Sequence, residues 1–346
     1  MEGTREGREE HAHAPRSHGP HAPWITEAVR AGKRYHYGRK SPLAHDTLNL
    51  GIFGAMLAAV VGIAALGAHV PAWLYVPLAP IPLGILYFGC FVLVVHEASH
   101  DMFVVFRDRA RQKRWNRAFG WLVAVVFATH YGKHWEQGHR EHHVRPLEPA
   151  DPQQHNLLVG RALLVRVLCN LFVPGFLFLE RTIFRTRRAG GKSTSSKGVI
   201  VLFIALWVAF ITTATITVGW PAGLGLFLGI HVLSALNQIK GALEHGGPIG
   251  KERDPFLRSR TTLFPLRAVL LPFHITLHFE HHLNFQVPWY DLPRYHRDLS
   301  RIVPPEVWRE VINHDVMAQL SGRLGGLSEP ARQLSEPAMS MALAAE

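Results

Sequence analysis

Apolar residues are concentrated in four long runs, which polar and basic stretches separate. Each run is free or nearly free of charge, and a helix of about 20 apolar residues crosses the hydrocarbon core of a bilayer. The pattern therefore predicts an all-α membrane protein with four transmembrane helices. The runs cover residues 48–70, 73–95, 198–218 and 221–238.

The four runs form two pairs, because only a few residues separate the first run from the second and the third from the fourth. Short connections favour antiparallel neighbours, so we expect two transmembrane hairpins. Pro77, Pro80 and Pro82 lie near the start of the second run. Proline lacks the N–H group of a helix hydrogen bond, so an irregular first part of this helix is expected.

The distribution of Lys and Arg predicts the orientation of the hairpins. The two hairpin turns contain neither residue, whereas the segments 30–40 and 107–197 contain many. Basic loops remain on the cytoplasmic side, so both termini and the central loop are predicted to be cytoplasmic. Shorter apolar stretches at 121–128 and 157–178 contain or adjoin charges, and we expect interfacial or packed helices there.

Polar composition distinguishes the two ends of the chain. Residues 1–45 hold no apolar core, include a histidine-rich stretch, and are predicted to form a disordered tail. The start of the chain shows no apolar segment of a cleavable signal peptide. Residues 316–346 become rich in Ala and Ser and are predicted to be flexible. This division leaves residues 46–315 as the membrane domain.

The chain is basic, with a formal net charge of +11. Its Lys and Arg residues flank the apolar runs, so anionic lipid headgroups explain the charge better than nucleic acid does. No nucleic-acid partner is therefore expected. The two cysteines, Cys90 and Cys169, are too few for a disulfide framework, and they are typical of a reducing environment that faces the cytosol.

Histidine is the unusual component, with 23 residues in the chain. Three clusters stand out: HEASH directly after the second apolar run, HREHH in the central loop, and HFEHH after the fourth run. A single histidine follows the fourth run in the sequence GALEHGG. The predicted topology places all four segments on the cytoplasmic side. The residues are His96, His100, His139, His142, His143, His245, His278, His281 and His282.

Read alone, HEASH matches the HExxH motif of zinc proteases, in which two histidines bind zinc and the glutamate is the base. The other clusters change this interpretation. Residues three and four apart share a helix face, and an adjacent pair diverges, so each HxxHH cluster can reach two different metal ions. One catalytic zinc takes about three protein ligands, whereas this number of imidazoles suits two metal ions. Imidazole binds Fe, Cu, Zn and Ni alike, which leaves the metal open.

In this order and spacing, the clusters resemble the histidine boxes of the integral-membrane fatty acid desaturase superfamily. The resemblance runs from about residue 45 to residue 299 and includes HHLNFQVPWYDLPRYH after the third cluster. It implies four transmembrane helices in two hairpins, with a cytoplasmic helical cap that holds a di-iron site. It also implies O2 as co-substrate and a lipid or fatty acyl substrate. Carried over by position, all nine histidines named above are metal ligands.

Two positions depart from patterns in the superfamily. Some relatives have Asn four residues before the single histidine, whereas this chain has Gly241 there and Asn237 one turn earlier. The first cluster has the spacing HxxxH and not the longer spacing of the acyl-CoA Δ9 enzymes. A water-bridging Asn and a close relationship to stearoyl-CoA desaturases are therefore not expected.

The resemblance implies a desaturase that removes two hydrogens from adjacent unactivated carbons. The alternative is a hydroxylase or ketolase of the same superfamily that acts on a lipid or carotenoid, since both reactions begin with hydrogen abstraction. A metal transporter is a hypothesis from a different class. Transport uses polar ligands along the bilayer midplane, whereas the runs here are almost free of acids and the histidines cluster at one side. This pattern disfavours transport.

The sequence contains no haem-binding or iron–sulfur cysteine pattern, so a separate ferredoxin or cytochrome b5-like electron donor is implied. Carboxylates beside the clusters can accept the second N–H group of a ligand imidazole. Three histidines near the clusters are expected to be hydrogen-bonded or exposed and not to bind metal. The carboxylates are Glu97, Asp101, Glu141, Glu244 and Glu280, and the three histidines are His130, His134 and His274.

Overall fold

Four helices are long and apolar enough to cross a membrane, which confirms the prediction from the apolar runs. The structure is a computed structural model that describes residues 21–149, 151, 153, 157–176 and 196–336. Regular structure in these residues is helical apart from one pair of two-residue strands. The four helices, called spans one to four below, are Pro42–Leu66, Ala72–Ser99, Lys197–Thr217 and Trp220–His245.

The four spans are unequally buried. Protein covers 11% and 22% of the most apolar windows of spans one and three, compared with 67% and 61% in spans two and four. Side chains that face lipid are as well solvated by hydrocarbon as those that face another apolar helix. Spans one and three therefore present apolar surfaces to lipid, and spans two and four form the inside of the bundle.

Glycines allow spans two and four to approach each other closely. A Cβ atom on Gly84 would lie 2.4 Å from the Cβ atom of Val232, and one on Gly229 would lie 2.8 Å from the ring of Tyr87. Small residues at helix contacts permit this close approach of backbones in membranes. The contact fixes the two spans relative to each other, and both of them carry histidines at their ends.

Span two is not a uniform α-helix. Ala72–Leu78 and Pro80–Cys90 are separate helical segments, in agreement with the irregular start expected from the prolines. Phe91–His96 continues as a π-helix, and Tyr131–Gln137 forms a second π-helix. A π-helical turn rotates the residues that follow it relative to a continuous α-helix. Each of the two turns therefore helps to set the direction of the histidine cluster that follows or overlaps it.

A short amphipathic helix, Gly160–Phe172, lies against span four. The Asn170 side chain accepts a hydrogen bond from the Ser234 hydroxyl, and His231 Nδ1 donates to the Asn170 carbonyl at 2.7 Å. The opposite face exposes apolar side chains, as expected of an interfacial helix. These side chains are Leu164, Val165, Leu168 and Phe172.

Shorter elements cover the histidine clusters. The second cluster lies on Gly138–Val144 and the third on His278–Leu283. Strand β1, Thr261–Thr262, pairs in parallel with β2, Ile312–Asn313, and this joins the segment before the third cluster to the C-terminal region. The other α-helices are Pro23–Gly32, Arg109–Val126, Arg267–Leu270, Leu292–Ile302, Pro305–Val311, Val316–Ser321 and Glu329–Gln333.

Helical structure extends beyond the predicted membrane domain at both ends. In Pro23–Gly32, Trp24 and Ala28 are buried, and the Trp24 indole N–H donates to the Leu334 carbonyl at 3.0 Å. The tails predicted for 1–45 and 316–346 therefore include folded helices. These helices are short, so their apolar faces do not stand out in polar segments. Residues 1–20 and 337–346 lie outside the described residues.

The contact between spans two and four provides a test of the bundle. Gly84→Ala places a methyl group against Val232 and the Gly229 carbonyl, and overpacking of this kind costs about 1–3 kcal/mol. We expect a lower thermal unfolding temperature in detergent. Gly54→Ala is the matched control, because nothing lies within 4 Å of its added Cβ and Ala favours the helix. An equal or higher unfolding temperature for Gly84→Ala would contradict the close packing.

Candidate metal centre

The histidine clusters lie on helix ends that meet at one end of the bundle. His96 lies near the end of span two, and His245 is the last residue of span four. The short helices Gly138–Val144 and His278–Leu283 carry the second and third clusters and bring their rings against these two span ends. Residues that are distant in the sequence therefore share one buried site.

Eight of the nine predicted histidines form two groups of four. In each group, one ligand nitrogen per residue lies within 4.8 Å of the others, and all four residues are buried. Within the described part of the chain, both groups consist of imidazoles alone. The second and third clusters each contribute to both groups. In the third cluster the adjacent pair divides between the groups, as HxxHH spacing predicts, whereas in the second cluster the division is between His139 and His142. The first group is His96, His100, His139 and His281, and the second is His142, His245, His278 and His282.

His143, the ninth predicted histidine, belongs to neither group. Its ring centre lies 4.6 Å from that of His281 in the first group and 4.5 Å from that of His282 in the second. Its Nε2 is 3.3 Å from Nε2 of His139, and its buried Nδ1 has no hydrogen-bond partner within the described residues. The structure therefore places His143 beside both groups.

The outer nitrogens of the second group show which nitrogen faces inwards. His142 Nδ1 lies 2.7 Å from Asp151 Oδ2, and His245 Nδ1 lies 2.8 Å from the Arg258 carbonyl. Carbonyl and ionised carboxylate oxygens only accept, so both Nδ1 atoms donate, and in the neutral form of each ring the Nε2 atom then carries a lone pair. These two Nε2 atoms are 3.2 Å apart, and His278 Nε2 is 2.8 Å from His245 Nε2. Lone pairs this close repel each other unless a cation lies between them.

The first group contains buried nitrogens without partners. Nε2 of His96, of His100 and of His281 makes no hydrogen bond within the described residues. Buried polar atoms are nearly always hydrogen-bonded, so these exceptions need an explanation. The ring centres of His96 and His281 are 4.6 Å apart, and those of His100 and His139 are 4.9 Å apart. A metal ion would satisfy these nitrogens, so the residues of both groups fit a centre with two metal ions.

Two of the predicted carboxylates contact rings of the groups. Glu97 Oε1 lies 3.1 Å from His96 Nδ1, and Glu244 Oε1 lies 3.2 Å from His278 Nδ1. A carboxylate at the outer nitrogen of an imidazole orients the ring and makes it a stronger ligand. Glu141, in contrast, is exposed.

Glu280 has a different role from the one expected of it. Its buried carboxylate accepts from the Thr261 hydroxyl and lies 2.5 Å from His296 Nδ1. These contacts tie the third cluster to strand β1 and to the helix Leu292–Ile302. Glu280 therefore holds the helix that carries the cluster.

Asp151 is a carboxylate of the site that the sequence did not indicate. Besides His142, it accepts from the backbone N–H groups of Leu147 at 2.5 Å and Gln153 at 2.7 Å. Burial disfavours its charge, but His142 and these hydrogen bonds outweigh burial and lower the pKa of Asp151 to about 2. The side-chain amide of Gln153 lies 2.7 Å from His139 Nδ1. Both groups therefore have outer partners from one loop.

Burial keeps the imidazoles neutral. It lowers the pKa of His100, His139 and His281 well below the ordinary value of 6.5, and neighbouring positive charges lower the pKa further. Neutral imidazole is the form that binds a metal ion. The pKa values of His143, His278 and His282 are lowered for the same reasons.

The three histidines that were not expected to bind metal are in neither group. His130 Nδ1 accepts from the Lys133 backbone N–H at 3.2 Å, and the His274 ring lies 6.4 Å from the ring of Trp289. The His134 ring packs near Trp135. Their proximity to the clusters in sequence therefore does not bring them into the site.

His45 and Asn49 have structural contacts that sequence patterns did not reveal. His45 Nε2 lies 2.6 Å from the Met102 carbonyl, and its Nδ1 lies 2.7 Å from the Tyr290 hydroxyl. Asn49 accepts from the Trp289 indole N–H at 3.1 Å. Span one is thereby joined to the segments that follow the first and third clusters.

The chain belongs to the fatty acid desaturase family, because the family model described as Fatty acid desaturase matches residues 71–312, more than two thirds of the chain. The matched region includes spans two to four and all nine predicted histidines. A comparison with curated proteins found no match. Membership confirms the resemblance seen in the clusters, supports a lipid desaturase-type function and implies an oxidoreductase.

The neutral histidines predict that the stability of the metal-free protein depends on pH. Folding lowers their pKa, so below the ordinary value of 6.5 the unfolded chain binds more protons than the folded chain. Each such group then removes about 1.4 kcal/mol of stability per pH unit until its folded pKa is reached. We expect the unfolding temperature in the presence of a chelator to fall steeply below about pH 6.5.

Two variants control this pH profile. His134→Ala should retain the slope of the wild-type chain, because His134 is outside both groups. His281→Ala should reduce the pH dependence of stability by an amount that corresponds to about one proton taken up on unfolding. A wild-type profile that stays flat in this range would contradict the burial of neutral imidazoles.

Proposed function

We propose that the protein is a membrane-bound, O2-dependent desaturase that introduces a double bond into a fatty acyl or lipid chain and uses two iron ions. The observation that carries this proposal is the pair of buried groups of four imidazoles. Family membership supports iron and a lipid substrate in particular. Each group would hold one ion, and His143 would lie beside both.

When bound, two iron ions supply electrons to O2 and the oxidising power to remove hydrogen atoms from unactivated C–H bonds, which no side-chain base can deprotonate. In the balanced reaction, the acyl chain loses two hydrogen atoms and gains a double bond. O2 takes up these two hydrogen atoms, two electrons and two protons, and leaves as two water molecules.

The residues around the groups orient the rings and exclude water. Asp151 and the Arg258 carbonyl accept from Nδ1 of His142 and of His245, so Nε2 of each ring is directed towards the centre of the second group. The Phe285 ring packs on His100 and His143, with ring centres 5.1 and 5.0 Å apart. An apolar ring beside the histidines suits a site that receives an acyl chain from the membrane.

We place the histidine groups and both termini on the cytoplasmic side. The connection between spans one and two, and that between spans three and four, contain no Lys or Arg. The helix Arg109–Val126, which is rich in basic residues, lies at the end of the bundle where span two ends. This asymmetry supports the proposed orientation.

We also propose that a separate acidic electron donor, a ferredoxin or cytochrome b5-like protein, docks near the first group. Lys113 and Arg140 are exposed and close enough to Asp101, the residue after His100, to act on its charge. Complementary charge steers and orients such a partner. The basic surface consists of Arg107, Arg109, Arg111, Lys113, Arg114, Arg117 and Arg140.

Lipid mass spectrometry in a host that lacks the activity tests the reaction. Expression of the chain should yield lipids that have lost two hydrogen atoms. His142→Ala, His245→Ala and His281→Ala should each abolish the product and lower the bound iron, because each removes a ligand. His134→Ala is the control and should remain active.

Two results would change the proposal. Full activity in all three ligand variants would remove the ligand assignment. Products that gain oxygen would replace the desaturase by the hydroxylase or ketolase alternative.

Charge reversal tests the docking surface. Lys113→Glu combined with Arg140→Glu should slow turnover with an acidic donor protein at least about tenfold at low salt. Turnover with a small chemical reductant should be unchanged, because the histidine groups are untouched. Arg297→Glu, an exposed residue on the helix Leu292–Ile302, is the matched control. An equal loss with both reductants would show damage to the site and count against docking.

A further inference from the structure

Lys240 is a buried cation beside the histidine groups. It precedes His245 by about 7.5 Å along the axis of span four, and its side chain is only 9% exposed. Lysines near the end of a span usually extend to water, but Lys240 Nζ contacts Glu244 Oε2 at 2.7 Å. An ionisable residue inside a membrane span marks a functional role by default.

Helix stability does not account for this ion pair. Lys placed four residues before Glu is the less favourable order in a helix. Burial of both charges has a desolvation cost that their attraction offsets only in part. Glu244 is also buried, and neither of its oxygens makes a hydrogen bond elsewhere in the described chain. The pair is therefore better explained by what Glu244 contacts next.

The other oxygen of Glu244 contacts a ring of the second group. Oε1 lies 3.2 Å from His278 Nδ1, a charge contact without hydrogen-bond geometry, and that nitrogen has no hydrogen-bond partner within the described residues. His278 Nε2 lies 2.8 Å from His245 Nε2 inside the group. A negative charge this close to Nδ1 favours the ring form that carries its proton on Nδ1 and its lone pair on Nε2.

We infer that Lys240 is a positioning residue, which acts through Glu244 to hold the His278 ring with Nε2 directed into the second group. The inference rests on the proposed metal centre. As a pair, Lys240 and Glu244 add no net charge beside the metal ions, whereas Glu244 alone adds a negative charge. The pair therefore orients a ligand ring without contributing a ligand of its own.

Metal titration tests this role. The purified protein is stripped with a chelator and titrated anaerobically with Fe²⁺ against a competing chelator of known affinity. The wild-type chain should bind one ion in each of its two groups. Lys240→Met and Glu244→Gln should each weaken one of the two sites about 10- to 100-fold and leave the other unchanged. Lys251→Met is the matched control, because Lys251 is exposed just after span four.

The double variant separates positioning from folding. Lys240→Met leaves Glu244 buried and unpaired, so its unfolding temperature should fall. Addition of Glu244→Gln removes this charge and should restore the unfolding temperature. The Fe²⁺ affinity of the double variant should equal that of Glu244→Gln alone, because Lys240 acts only through Glu244. Additive losses of affinity would overturn the inference.

The remaining outcomes distinguish this inference from the proposed function. A wild-type chain that binds no Fe²⁺ overturns both. Two bound ions in the wild-type chain, with unchanged affinities in Lys240→Met, overturn the inference alone. If Lys240→Met fails to fold, the test uses the double variant Lys240→Met with Glu244→Gln. Wild-type Fe²⁺ affinity at both sites of this variant overturns the inference. Weaker Fe²⁺ binding at one site supports it.

Discussion

Buried imidazole nitrogens without a hydrogen-bond partner among the described residues are the constraint on which the site depends. The outer nitrogens of His142 and His245 donate to oxygen atoms, and this directs their inner lone pairs at each other. His278 Nε2 lies a further 2.8 Å from His245 Nε2, so three ring nitrogens converge there. Cations between the rings would relieve the repulsion between these nitrogens, so the chemistry of the site and the packing of its helices are linked.

The bundle supplies rigid positions for these rings. The glycine contact presses spans two and four together, and each of these spans ends in a segment that carries a histidine of the groups. The π-helices adjust the direction of the first two clusters. Carboxylates, a backbone carbonyl and an amide then fix individual rings. The positions of the rings are therefore set first by the packing of the spans, then by the π-helices, and finally by contacts to individual rings.

The sequence predicted the features that depend on short-range pattern. Four uncharged apolar runs predicted the spans, and HxxHH spacing predicted that the adjacent pair of the third cluster divides between two groups. Asp151 was not predicted, because its contact with His142 depends on the path of a loop. The position of His143 between the groups also depends on tertiary packing. The helix Pro23–Gly32 was missed, since a short apolar face gives little periodic signal.

Both groups include rings from the third cluster: His281 in the first, and His278 and His282 in the second. Neither group can therefore assemble before the ribosome has synthesised that segment. Spans one and two can enter the membrane early, because domains and elements fold as they emerge. His96 of span two must nevertheless wait for His281, which follows span four. Loading of the proposed metal ions would consequently be a late event, which follows translation of most of the chain.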